Sequence, residues 1–126
     1  MKKNILLICF LCFSALTVFA QKQVHNKLRH VVMFGWEKGT DSMAIEKIVN
    51  SFKALPSKIN LIKDFEFGTN NSPENLNKGL THCFTLTFES AADRDAYLIH
   101  PAHKAFVAQL QPGPTAVTVF DYWAHQ

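Results

Sequence analysis

The stretch LTHCFTLTFES, Leu80 to Ser90, decides the fold. Its residues alternate strictly. His82, Phe84, Leu86 and Phe88 fall on one face, and Thr81, Cys83, Thr85 and Thr87 on the other. A period of two is the repeat of a β-strand, whose successive side chains point to opposite sides. The apolar face needs a packed layer over it. The Thr/Cys face carries no charge and is poorly suited to water, so it too predicts a covering surface. Upstream, TNNSPENLNKG (69–79) is a polar loop full of turn formers. Downstream, Ser90 is a helix cap opening SAADRDAYLIH.

The other elements follow outward from this strand. LRHVVMFGW (Leu28 to Trp36) reads as a strand, β-branched and aromatic and closed by a Gly-containing turn. Thr40 is the expected cap of the next helix, with Asp41 in its first turn. Ile45, Ile48, Val49, Phe52 and Leu55 then recur at helical spacing, and Pro56 is expected to close that helix. NLIKDFEFG (Asn60 to Gly68) reads as a second strand. After the helix that follows Ser90, His100-Pro101 interrupts the pattern, and Pro101 suits the first turn of a new helical segment. Pro112 to Pro114 stops that segment, and AVTVFDYW (Ala116 to Trp123) is the last strand. The order β, α, β, β, α, β predicts an α+β ferredoxin-like plan: a four-stranded antiparallel sheet with helices on one face. A second sheet packed on the free face would bury it, which predicts a homodimer with a composite barrel in preference to a monomer with a wet face.

The N-terminus has a different character. MKKNILLICFLCFSALTVFA carries two lysines, then an apolar run, then small residues before position 21. This is a secretory signal peptide pattern with cleavage near Ala20, and the run is short for a membrane span. The expected organisation is a signal over 1–20, a flexible lead over 21–27 and one domain over 28–124, in a secreted or periplasmic protein with no membrane attachment after cleavage. Lys2 and Lys3 supply two of the three net positive charges. The remaining balance offers no footprint for nucleic acid. Cys9 and Cys12 leave with the signal, so Cys83 stays without an internal disulfide partner.

Three segments, RHVVMFGWEKGT, NNSPENLNKGLTHCFTLTFES and AYLIHPAHKAFV with VFDYW after it, together resemble the stress-responsive A/B barrel (Dabb) family over roughly Leu28 to Trp123. The resemblance implies a ferredoxin-like fold and a dimeric α+β barrel. One plant branch of that family contains polyketide cyclases, which close a linear poly-β-ketide by intramolecular aldol condensation without metal or organic cofactor. The histidine and tyrosine positions of that branch correspond to Tyr97, His103, His82 and His30 here.

The same residues can be read physically. Tyr97 and His103 are six positions apart, which in one straight helix would leave them about 120° apart around the axis. A bend at Pro101 is therefore needed for both to face one site. His103, Phe106, Val107 and Leu110 form an apolar stripe toward the sheet. His82 shares the face of Phe84, and His30 that of Val32, Phe34 and Trp36. The predicted chemistry is proton abstraction next to a carbonyl, with His103 as base and Tyr97 donating to the enolate oxygen. His82 and His30 would orient groups or bind substrate oxygens. Val32, Phe34, Ile48, Phe52, Phe84, Val117 and Val119 would line an apolar pocket for an aromatic or polyketide-like carbonyl compound. No cofactor is expected. No metal site is expected either, because His100 and His103 lack a third ligand. The competing readings are core histidines bonded to backbone carbonyls, and a non-catalytic ligand-binding or stress-linked dimer.

Overall fold

Strands β1 (Leu28–Gly35), β2 (Asp64–Thr69), β3 (His82–Phe88) and β4 (Ala116–Trp123) form one antiparallel sheet in the order β2-β3-β1-β4. They belong to a computed structural model that describes residues 26–125. The expected signal over 1–20 and residues 21–25 of the expected lead lie outside the described residues. Helices α1 (Ser42–Lys53) and α2 (Leu55–Lys58) connect β1 to β2, and α3 (Ala91–Ile99) and α4 (Pro101–Ala108) connect β3 to β4. Among the described residues no helix is long and apolar enough to cross a membrane.

The alternation read in β3 sets the layers. Phe84, Leu86 and Phe88 are fully buried beneath the helices. The antiparallel register places Phe34 beside His82, Val32 beside Phe84 and His30 beside Leu86, so β1 turns the same face inward. Helix α1 contributes Ile48 and Phe52 to this layer, α2 Leu55, and α4 Phe106. Aromatic packing dominates: Phe52 stacks on Phe84 at 4.3 Å between centroids and lies 4.7 Å from Phe106, and Phe34 meets Phe84 at 5.5 Å. Such pairs add roughly 0.5–1.5 kcal/mol each beyond the area they bury.

Local chemistry shifts several boundaries. Asp41, not Thr40, caps α1: its carboxylate accepts from the Met43 amide at 3.1 Å, while the Thr40 hydroxyl donates to the Glu37 carbonyl. Pro56 does not end the helical region. It sits in the first turn of α2, where its missing N–H costs nothing because first-turn amides have no intrahelical acceptor. Residues 60–63, read as strand, form a turn that carries the buried Ile62, and β2 begins at Asp64. Lys27, read as the end of a flexible lead, accepts from the Ala124 amide through its carbonyl and pairs with Glu89 through its ammonium.

The expected break at His100 is present. Ser90 caps α3 through the Asp93 amide. His100 is extended and caps α4, its Nδ1 accepting from the Ala102 amide, with Pro101 in the first turn. On the helix-free side of the sheet, Phe120 and Tyr122 project from the edge strand β4 at 61% and 43% exposure.

Candidate functional site

The sequence-predicted residues divide into two places. Tyr97, in the last turns of α3, is 1% exposed, and its ring lies between two imidazoles: His103 of α4 at 4.4 Å and His30 of β1 at 5.8 Å. Phe88 closes the third side of Tyr97 at 5.1 Å. The bend at His100-Pro101 makes this possible, because it turns α4 so that His103 comes back over Tyr97. His82 is not part of this group. It sits four residues from Leu86, the cross-strand neighbour of His30, or about 13 Å along the strand. There its ring and that of Trp36 lie nearly perpendicular with centroids 4.7 Å apart, and Nδ1 bonds to the Thr81 hydroxyl at 2.9 Å.

Each imidazole of the Tyr97 cluster has a defined orientation. His103 Nδ1 lies 3.0 Å from the Leu98 carbonyl. A carbonyl can only accept, so Nδ1 carries the proton, and in the neutral ring the lone pair is on Nε2. Desolvation lowers the His103 pKa below the ordinary 6.5, and nearby His30 and His100 push the same way against the Leu98 bond. Burial raises the Tyr97 pKa, so its hydroxyl stays protonated. His30 is 5% exposed, and its Nδ1 is 2.6 Å from Asp121 Oδ1. The second Asp121 oxygen accepts from Arg94 Nη1, and Arg94 Nε donates to Asp95 at 2.7 Å. Those carboxylates raise the Arg94 pKa, with the Asp95 bond the largest contribution and burial opposing.

Asp121 and Arg94 were missed in the sequence. The signal was present for Asp121: an acidic residue alternating with Val119 and Val117 on the inward face of an apolar strand needs a partner there. Arg94 carried no such mark, being one charge among several on an amphipathic helix.

The expected pocket lining needs correction. Val32, Phe34, Ile48, Phe52 and Phe84 are all buried, and they pack on one another as core. Val117 and Val119 share their face but lie beyond the helices on edge strand β4, at 53% and 54% exposure. Val107 of the expected inward stripe is likewise 45% exposed, and His103 is half-buried. His82 lines two clefts. One, of about 490 Å³, lies under the 69–81 loop, and the other, of about 360 Å³, lies against α1 at Ser42, Ile45, Glu46 and Val49. Among the described residues no three His, Cys, Asp or Glu side chains form a metal-holding group.

The model of the stress responsive A/B barrel domain matches residues 28–124. A stress-response A/B barrel domain-containing protein from Arabidopsis thaliana, HS1, is 32% identical over 101 residues, covering 80% of this chain and 93% of that protein. Olivetolic acid cyclase from Cannabis sativa is 26% identical over 95 residues, covering 75% and 94%. Among solved structures, a dimeric protein with a ferredoxin-like fold from Bacteroides fragilis superposes with a TM-score of 0.63 at 25% identity, covering 78% of this chain and 96% of that one.

Proposed function

The chain belongs to the stress-responsive A/B barrel domain family, and from that premise we propose that it catalyses cofactor-independent lyase or cyclase chemistry on a carbonyl compound. The observation that carries this reading is the Tyr97 ring held between His103 and His30, each imidazole anchored through Nδ1 to an acceptor. His103 Nε2 then acts as the base that takes a proton next to the carbonyl. A lowered pKa keeps it unprotonated at neutral pH. The Tyr97 hydroxyl donates to the enolate oxygen as charge develops there, and its raised pKa prevents it from ionising first. His30, fixed by Asp121 and Arg94, binds a second substrate oxygen. The similarity to olivetolic acid cyclase supports an intramolecular condensation as the reaction class.

Purified protein incubated with linear polyketide thioesters is expected to release cyclised product faster than buffer alone. Tyr97→Phe should lower that rate by about 10²–10³, the usual cost of losing one oxyanion donor. No rate above buffer would count against the cyclase reading and leave ligand binding without turnover.

The same reading includes a homodimer across the helix-free face, supported by exposed Phe120 and Tyr122 and by the dimeric Bacteroides fragilis protein. It also places the mature protein outside the cytoplasm, on the strength of residues 1–20. Sequencing the N-terminus of exported protein should find Gln21 first.

A further inference from the structure

The larger of the two clefts beside His82 is used by none of the Tyr97 cluster, and its walls have a definite chemistry. Met33, Leu76, Leu80 and Cys83 supply apolar lining, and Met33 and Cys83 stand on the helix-free face of the sheet, so the cleft borders the proposed homodimer interface. Asn70, Asn71, Asn77 and Lys78 complete the lining with polar groups. No aspartate or glutamate lines it, so Lys78 supplies its only fixed charge. We propose that this cleft, of about 490 Å³, binds a small organic carboxylate: the apolar body against Met33, Leu76 and Leu80, the carboxylate toward Lys78, and further oxygens on the asparagine amides.

The loop that forms the cleft is held in place before any ligand arrives. Its two ends are tied down, the Asn70 amide donating to the Thr81 carbonyl and the Thr81 amide to Phe34, both at 2.8 Å. Asn77 braces the turn through Leu80, with one bond from its side chain and one to its carbonyl. Gly35 lets the loop sit directly on β1, since a Cβ there would be 2.3 Å from the Gly79 carbonyl oxygen. Asn75, Lys78 and Gly79 all have positive φ, at 58°, 52° and 79°. A lysine in the left-handed region is strained, and such strain concentrates at ligand clamps. Here it fixes the direction in which the one cationic side chain leaves the loop. Leu76, 69% exposed, stands at the rim as an apolar contact.

The proposal does not depend on chemistry at His103, and its test separates the two. Cinnamate and cinnamamide have the same body and differ in charge. Titrated into the ¹⁵N-labelled protein, cinnamate should give saturable amide shifts within residues 68–83, and cinnamamide weaker ones at the same positions. Lys78→Asn keeps a residue that tolerates positive φ while removing the charge. It should weaken cinnamate by roughly three- to fivefold, the range of an exposed ion pair, and leave cinnamamide unchanged. Leu76→Ser should weaken both. Non-saturable shifts, shifts centred on 97–103, or cinnamate binding indifferent to Lys78→Asn would each overturn the assignment.

Discussion

At the scale of the residue, one backbone carbonyl defines the His103 lone pair. Because Leu98 accepts from Nδ1, the other nitrogen is left for chemistry without any further partner having to be invoked. Burial then sets the charge state of both half-buried histidines, His82 and His103, by lowering their pKa values from 6.5. The sign of the stability effect follows from proton counts. Between the folded and unfolded pKa values the unfolded chain binds more protons, so stability rises with pH there. This contribution is complete above 6.5 and is lost as pH falls through the lower folded values. Urea unfolding across this range should show weakening on the acid side, and His103→Gln should flatten part of that slope. A slope unchanged by the substitution would mean that His103 is not desolvated.

At the scale of the element, caps and prolines place the helix ends. The sequence reading puts the cap of α1 at Thr40 and Asp41 in the first turn, one residue out of place. In the structure only Asp41 reaches a first-turn amide, while the Thr40 hydroxyl is spent on the Glu37 carbonyl of the preceding turn. Asp41→Ala should therefore cost about 1 kcal/mol of unfolding free energy, and Thr40→Ala clearly less, as read by denaturant midpoints. Equal losses would show that the turn matters as much as the cap. The break at His100-Pro101 was legible because the residue before a proline avoids helical backbone, and His100 is indeed extended. The strand start at Asp64 was not, because Leu61 and Ile62 look like strand residues in composition but serve as turn and core.

At the scale of the whole molecule, the helices cover one face of the sheet and meet β4 at Asp121, through Arg94, but leave Val117 and Val119 uncovered. Apolar side chains of that strand are therefore exposed on both faces: Val117 and Val119 on the helix side, Phe120 and Tyr122 on the other. On the proposed homodimer, Phe120 and Tyr122 pass into an interface. Phe120→Lys with Tyr122→Lys should then yield a monomer by sedimentation equilibrium, while circular dichroism of the fold is retained. A dimer that survives both changes would place the interface elsewhere.

The start of β2 and the division between α1 and α2 were not legible in the sequence by itself, but four strands, the helical connections between them, their order and the inward faces of β1 and β3 were. These depend on periodicity and on end signals a few residues long, so the information is local. Tertiary structure alone decided which side chains meet. His30 and Asp121 are 91 positions apart and become partners through the β1–β4 register. Arg94 joins them only because α3 lies over that part of the sheet. The same register separated His82 from His30 and Tyr97, although face by face all had seemed to point into one layer. Alternation tells a residue which side of the sheet it occupies. Its position along the strand, and whether a helix lies above it, come from long-range packing that no short window contains.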